Sequence, residues 1–253
     1  MIINRPTAAD IPALRALWRE AFSDSDESLD GFFGTAFSHK RSLVLRDGGE
    51  VLAALYWFDC SLRGEKIAYI YAVATAGEHR GRGLCRALMN STHEQLLTLG
   101  YRGAVLVPGD ESLFALYEKM GYKVCSELCE FTVKADTLGM DLRHIDGAEY
   151  ESLRRELLPE GGVVQEGENT AFLQTFVDFY AGNGVVLAAG KSGDVLHCVE
   201  LLGDNEKASA VLSALGCREG KFRTPGRGRA FAMYLPLDGG ENVPPSYFGL
   251  AFD

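Results

Sequence analysis

The chain has 253 residues (27.6 kDa), 47 % hydrophobic and 24 % charged with a mean hydropathy of −0.03, which excludes a disordered polymer and leaves room for one large domain or two ordinary ones. No apolar run approaches the roughly 20 residues that cross a bilayer, and Met1-Ile-Ile-Asn-Arg-Pro lacks the basic-then-apolar pattern of a secretory leader, so neither membrane nor export is expected. A net charge of −10 argues against a nucleic-acid partner, and six scattered cysteines are too few for a disulfide scaffold, so a reduced, cytoplasmic setting is expected.

The first half reads as alternating strands and helices. Ile2-Ile3-Asn4 is a short strand, and Thr7 is an N-cap candidate before an amphipathic run of Ile11, Leu14, Leu17, Trp18 and Phe22. A second helix is expected over Leu29–Phe37. Strands Ser42–Arg46 and Glu50–Leu62 flank Asp47-Gly48-Gly49, a hairpin signal, and Arg63-Gly64-Glu65 turns the chain into Lys66–Thr75. Arg80-Gly81-Arg82-Gly83 then opens a helix carrying Leu84, Leu88, Met89, Leu96 and Leu97, closed by Gly100. Ala104–Val107 is a buried strand, Leu113–Met120 a helix stopped by Gly121, and Tyr122–Lys134 one or two further strands. This order fits a mixed, mostly antiparallel sheet with helices on its faces, an α/β (α+β) fold.

Near Ala135–Gly139 the pattern restarts. A strand at Leu142–Asp146 and a helix at Tyr150–Leu158 echo the opening of the chain. A helix (Thr170–Tyr180), two strands (Val185–Ala189, Val195–Leu202), a helix (Glu206–Leu215) and a strand near Arg229–Leu235 follow. Residues 1–135 carry 15 basic and 17 acidic side chains and residues 136–253 carry 10 and 18, net −2 and −8. The expected division is therefore a domain over 1–135 and a second, diverged one over 140–253.

The chemistry is expected between Ala68 and Met89. A strand, a glycine-rich turn and a helix follow one another there. The first amides of a helix have no internal partner and sit at the positive end of its dipole. Gly81 and Gly83 let a phosphate approach the main chain, and Arg80, Arg82 and Arg86 add formal charge. A dinucleotide turn would need a third glycine where Arg86 stands, and no G-x-x-x-x-G-K-S/T loop is present.

This segment resembles motif A of the GCN5-related N-acetyltransferase (GNAT) superfamily, Arg/Gln-x-x-Gly-x-Gly/Ala, with Arg80, Gly83 and Cys85 at its defined positions. Cys85 departs from Gly/Ala but is small. Leu116-Tyr117-Glu118-Lys119-Met120-Gly121-Tyr122 is similar to the family's L-Y-x-x-x-G-F/Y element, and residues 4–18 to its first strand and helix. The resemblance covers about the first 135 residues. It implies the acyl-CoA N-acyltransferase fold, with a second, degenerate GNAT-like lobe that has no cofactor of its own and shapes the acceptor site. It implies that Val73, Ala74 and Thr75 pair with the pantetheine arm of acetyl-CoA and polarise its thioester carbonyl. Arg80, Gly81, Arg82, Gly83, Leu84, Cys85 and Arg86 would cradle the pyrophosphate, and Tyr117 would protonate the departing thiolate. An amine, a small molecule or a protein side chain, would attack the thioester directly. No metal is implied. The acidic balance suits a cationic amine. The alternatives are a non-catalytic acyl-CoA sensor and an aminoacyl transferase working with charged tRNA.

Asp59, Glu65 and Glu111 are candidate general bases that no pattern singles out. The apolar tail Pro244–Asp253 is expected to dock, across the first domain, so that its terminal carboxylates could serve instead. Tyr56, Trp57, Tyr69 and Tyr71 line either an acceptor pocket or simply the core. His79 marks the turn. Cys125 and Cys129 have no partners for zinc. Gly226-Arg-Gly-Arg229 imitates a phosphate loop but precedes a strand, so a hairpin turn is expected. A homo-oligomer is compatible with all of this.

Overall fold

The structure is a computed structural model in which residues 1–239 and 243–252 are described. The chain forms two compact units: Met1–Lys123 with Tyr234–Val243, and Val124–Met233 with Pro244–Asp253.

The first unit begins with β1 (Ile2–Asn4), α1 (Ile11–Phe22) and α2 (Asp26–Thr35). Helix α2 starts three residues earlier than expected, because Ser25 caps it by accepting from the Ser28 amide at 3.2 Å. Strands β2 (Ser42–Asp47), β3 (Glu50–Leu62) and β4 (Glu65–Thr75) follow as antiparallel neighbours, joined at the two glycine turns expected. Helix α3 (Leu84–Thr98) leads to β5 (Gly103–Leu106), parallel to β4, and α4 (Glu111–Glu118) ends the run. Alternate residues of β3 serve opposite faces of the sheet. Tyr56 and Phe58 meet Phe32 of α2, and Tyr56 also meets Trp18 of α1. Trp57 faces the other way and donates to the Tyr101 hydroxyl, just past α3, at 3.0 Å. Each such aromatic, nearly free of water, contributes roughly 1.5–3 kcal/mol.

The second unit takes up β6 (Lys123–Lys134) from Val124 onward, then β7 (Arg143–Ile145), α5 (Gly147–Leu157), β8 (Val164–Gln165), α6 (Glu168–Leu173), β9 (Asp178–Gly182), β10 (Val185–Ser192), β11 (Val195–Gly203), α7 (Ala208–Leu215), β12 (Glu219–Pro225) and β13 (Arg229–Pro236), whose last residues belong to the first unit. Strands β7, β9, β10 and β11 pair antiparallel in that order, β11 pairs parallel with β12, and β12 pairs antiparallel with β6. The first unit has the same succession: three antiparallel steps, then a parallel one after a crossover helix. The core of the second unit joins Leu187, Leu201, Val211, Leu212 and Phe222.

Three expectations for this half are corrected. Thr170–Tyr180 is not one helix: α6 stops at Leu173, and Val177, Phe179 and Ala181 alternate inward on an extended segment, a period of two and not 3.6. The Gly226–Arg229 turn does not close a hairpin, because β6 lies between β12 and β13. Its Gly228 amide donates to Glu127 at 3.0 Å, and Glu130 gathers Arg223 at 2.9 Å and Arg229 at 3.1 Å, so the turn answers carboxylates of its own sheet. The tail docks within the second unit itself. Tyr247 bridges beside Gly162, Leu250 exchanges hydrogen bonds with the Gln165 side chain, and Phe252 packs on Phe172. Asp253, whose carboxylates were candidates for the acceptor site, lies outside the described residues.

Candidate active site

The site grows from the point where β4 and β5 part. Their ladder runs Ile67–Gly103, Ala68–Ala104 and Tyr69–Val105, after which β5 ends at Leu106 while β4 continues to Thr75. Beyond Tyr69, then, among the described residues β4 keeps a ladder partner on its β3 edge only. On that edge it carries a bulge. Tyr71 pairs with Tyr56 and Ala74 with Ala54, so β4 spends one residue more than β3 over this span. Ala72 takes up the difference at φ +48°, a backbone conformation rare for any residue but glycine. The bulge turns the main chain at Val73, and nothing in the Ala-Val-Ala sequence announced it.

After Thr75 the chain makes a 3-10 turn (Gly77–His79) and enters α3 through Arg80–Gly83. Several bonds fix this connection. Glu20 of α1 accepts from the Gly77 amide at 2.6 Å, and Arg80 Nε donates to the Thr75 carbonyl at 3.0 Å. His79, expected only to mark the turn, bonds Arg82 at 2.6 Å through Nδ1 and so orients that guanidinium. Gly81 and Gly83 have φ of +74° and +78°, which L side chains rarely adopt. A Cβ built on either would meet no atom within 4 Å. The glycines are therefore required by conformation, and the space above them is open. Gly83 precedes α3 without any side-chain cap, so the first-turn amides at Leu84, Cys85 and Arg86 are left for a ligand. Arg80, Arg82 and Arg86 are exposed around them, whereas Leu84 is buried and anchors the turn. Open space, free amides and three cations fit a diphosphate.

Tyr117 is carried by α4. It is 7 % exposed and makes no hydrogen bond through its hydroxyl among the described residues. Burial, with smaller effects of Cys85 and Asp110, holds its pKa above the ordinary phenol value. Its ring meets that of Tyr122 edge-on at 5.9 Å, and the Tyr122 hydroxyl bonds His93 of α3 at 2.8 Å, so the contact that links the phenol to α3 runs through Tyr122. Burial also raises the Cys85 thiol, opposed by Arg86, so it stays protonated and is no nucleophile.

Two of the three candidate bases, Asp59 and Glu65, are held by cations. Asp59 pairs across from Ala68, five residues before Val73 and so about 16 Å along the strand. There it accepts from Tyr101 and lies 3.5 Å from Lys66 and 3.8 Å from Arg41. Glu65, at the start of β4, faces Arg102 at 3.6 Å. Glu111 is exposed in the first turn of α4. Among the four aromatics, Tyr56 and Tyr71 pack on Trp18, and Tyr69 stacks on Phe58. Tyr56 and Trp18 close up with Leu14, Leu17, Phe22, Ala54, Ala72 and Ala74 around a crevice too tight for a water molecule, on the α1 side of the bulge.

The corresponding turn of the second unit, Gly203-Asp204-Asn205-Glu206-Lys207 before α7, is chemically opposite. Asp204 already accepts from the Glu206 amide at 3.1 Å, and two carboxylates repel an anion. Among the described residues no group of three or more His, Cys, Asp or Glu could hold a metal ion, and no helix is long and apolar enough to cross a membrane.

Residues 3–125 match the family model described as acetyltransferase (GNAT) domain. A GCN5-related N-acetyltransferase from Kribbella flavida is similar over 94 % of this chain and 71 % of its own, at 19 % identity and a TM-score of 0.75. A second, from Anabaena variabilis ATCC 29413, matches over 94 % and 73 % at 15 % identity, with the same TM-score of 0.75. A tandem GNAT protein from the clavulanic acid biosynthesis pathway matches over 95 % and 99 %, at 12 % identity and a TM-score of 0.58. At these identities the likeness is one of fold. No curated protein matches the chain.

Proposed function

We propose that this chain, whose residues 3–125 match the acetyltransferase (GNAT) domain model, is a GNAT acetyltransferase that transfers the acetyl group of acetyl-CoA directly to an amine. The observation that carries this reading is the uncapped, arginine-flanked start of α3 after the stretch of β4 that, among the described residues, has no ladder partner on its β5 side. The amides of Leu84–Arg86 and the guanidinium groups of Arg80, Arg82 and Arg86 would hold the diphosphate. Main-chain groups at Val73–Thr75 would line the pantetheine arm, and an amide turned outward by the bulge would stabilise the oxyanion that forms when nitrogen attacks the thioester carbon.

A cationic amine first gives one proton to water, which frees its lone pair; the nitrogen then attacks, the C–S bond breaks as the tetrahedral adduct collapses, and the second nitrogen proton also leaves to water. Tyr117 meets the thiolate. Its raised pKa means that it keeps its proton through the resting state and donates a hydrogen bond as sulfur charge develops. Solvent restores any proton passed on. The acceptor we propose is a small molecule or protein side chain that is cationic at neutral pH, steered by a chain of net charge −10. The second unit, with its acidic turn before α7, would be a diverged GNAT-like lobe without a coenzyme of its own.

Release of free thiol from acetyl-CoA in the presence of spermidine, an aminoglycoside or a lysine-containing peptide tests the reading. Turnover with at least one amine, lowered about 100-fold by Tyr117→Phe with CoA binding retained, is expected. Undiminished CoA binding with no thiol release for any amine would favour a non-catalytic acyl-CoA sensor.

A further inference from the structure

Helix α4 ends in a reciprocal pair of backbone bonds. The Tyr122 amide donates to the Tyr117 carbonyl at 3.1 Å and the Gly121 amide to the Glu118 carbonyl at 2.9 Å, with Gly121 at φ +94°. This is the Schellman arrangement, in which the residue after the glycine folds back onto the helix residue five positions before it. Here those two residues are Tyr122 and Tyr117, whose rings meet edge-on at 5.9 Å. Tyr122 is 1 % exposed, and its hydroxyl bonds Nε2 of His93, on α3, at 2.8 Å. Cys85, Met89 and His93 recur at four-residue spacing along α3. Tyr117 is thus linked, through the ring of Tyr122, to the third turn of the helix whose first turn carries Cys85.

We propose that Tyr122 and His93 are positioning residues that fix the ring of Tyr117 beside α3 through the Tyr122–His93 tie. The inference rests on the reading of Tyr117 as donor to the leaving thiolate. Without the tie, the ring of Tyr122 could turn within its pocket and the Tyr117 ring would lose its edge contact. Displacements of about 1 Å at a reacting group can cost as much as 100-fold in rate. Burial keeps the imidazole neutral at pH 7, so a single hydrogen bond to the phenol is all that the pair requires.

The alternative is that the pair simply fills the core. The experiment compares kcat and KM for acetyl-CoA in Tyr122→Phe, His93→Leu and their double variant, using the amine turned over fastest. It then repeats Tyr122→Phe in the Tyr117→Phe background. The expected result is a kcat loss of about tenfold in each single variant, KM changed less than about twofold, and a double variant no worse than either. His93→Gln, which can still bond the hydroxyl, restores most of the rate. In the Tyr117→Phe background, Tyr122→Phe has no further effect. An equal loss with and without Tyr117 overturns the inference, as does unchanged kcat in the two single variants while Tyr117→Phe is impaired. If Tyr117→Phe itself turns over normally, the acid assignment falls and takes this inference with it. Should His93→Leu fail to fold, Tyr122→Phe, which removes one oxygen, decides alone.

Discussion

Removing the charge of Glu200 should unfold much of the second unit's margin of stability. Its carboxylate is fully buried in β11 and accepts from Arg154 Nε at 2.7 Å and Nη2 at 3.0 Å, from Tyr150 at 2.8 Å and from Tyr247 at 3.0 Å. Arg154, 2 % exposed, spends its remaining Nη1 on the Val163 carbonyl at 3.2 Å. The network is complete, and it ties α5, β11 and the carboxy-terminal segment together. In Glu200→Gln the amide nitrogen would face donors, and the guanidinium would stay buried without a counter-charge. Breaking such a pair costs about 3–5 kcal/mol, against a total domain stability of roughly 5–15 kcal/mol. Urea unfolding followed by circular dichroism should show the midpoint lowered by about 2 M, given a slope of roughly 2 kcal/mol per M. Arg154→Met should cost a similar amount. The double variant should cost at least about 2 kcal/mol less than the sum, since it strands neither charge. A loss below about 1 kcal/mol for Glu200→Gln, or strict additivity, would refute the reasoning.

Burial lowers His93 to about 4 from 6.5. The unfolded chain therefore binds the proton more readily, and the group's contribution is complete above pH 6.5 and lost as pH falls towards 4, by at most about 3 kcal/mol. Urea midpoints measured from pH 7.5 to 4 should fall more steeply for wild type than for His93→Gln; parallel curves would contradict this. Gly83→Val puts a β-branched residue at φ +78° and a side chain into the open space above the α3 amides. It should cost about 1–2 kcal/mol of stability and weaken CoA binding at least about tenfold by calorimetry, and unchanged affinity would remove the turn from the site.

The sequence was most readable where one residue type had one physical use. Asp47-Gly48-Gly49 and Arg63-Gly64 turn the chain where expected, and Gly83 opens α3 as its spacing implied. Strand β12 escaped notice because its inward positions are Gly220, Phe222 and Thr224, of which only one is strongly apolar. The Thr170–Tyr180 stretch has enough apolar residues for either period, and tertiary pairing of β9 with β10 and β7 decided for the strand. The bulge at Ala72 depends on what β3 offers across the ladder, a non-local fact. Glu20 and His93 act on residues 57 and 29 positions away, so no local pattern could have revealed them.

The most direct test of the central claim is a crystal structure of the protein with acetyl-CoA. The account predicts the diphosphate on the amides of Leu84–Arg86, the pantetheine arm along Val73–Thr75, and the sulfur within hydrogen-bonding reach of the Tyr117 hydroxyl. Density for the coenzyme at another surface, or none at saturating concentration, would contradict it.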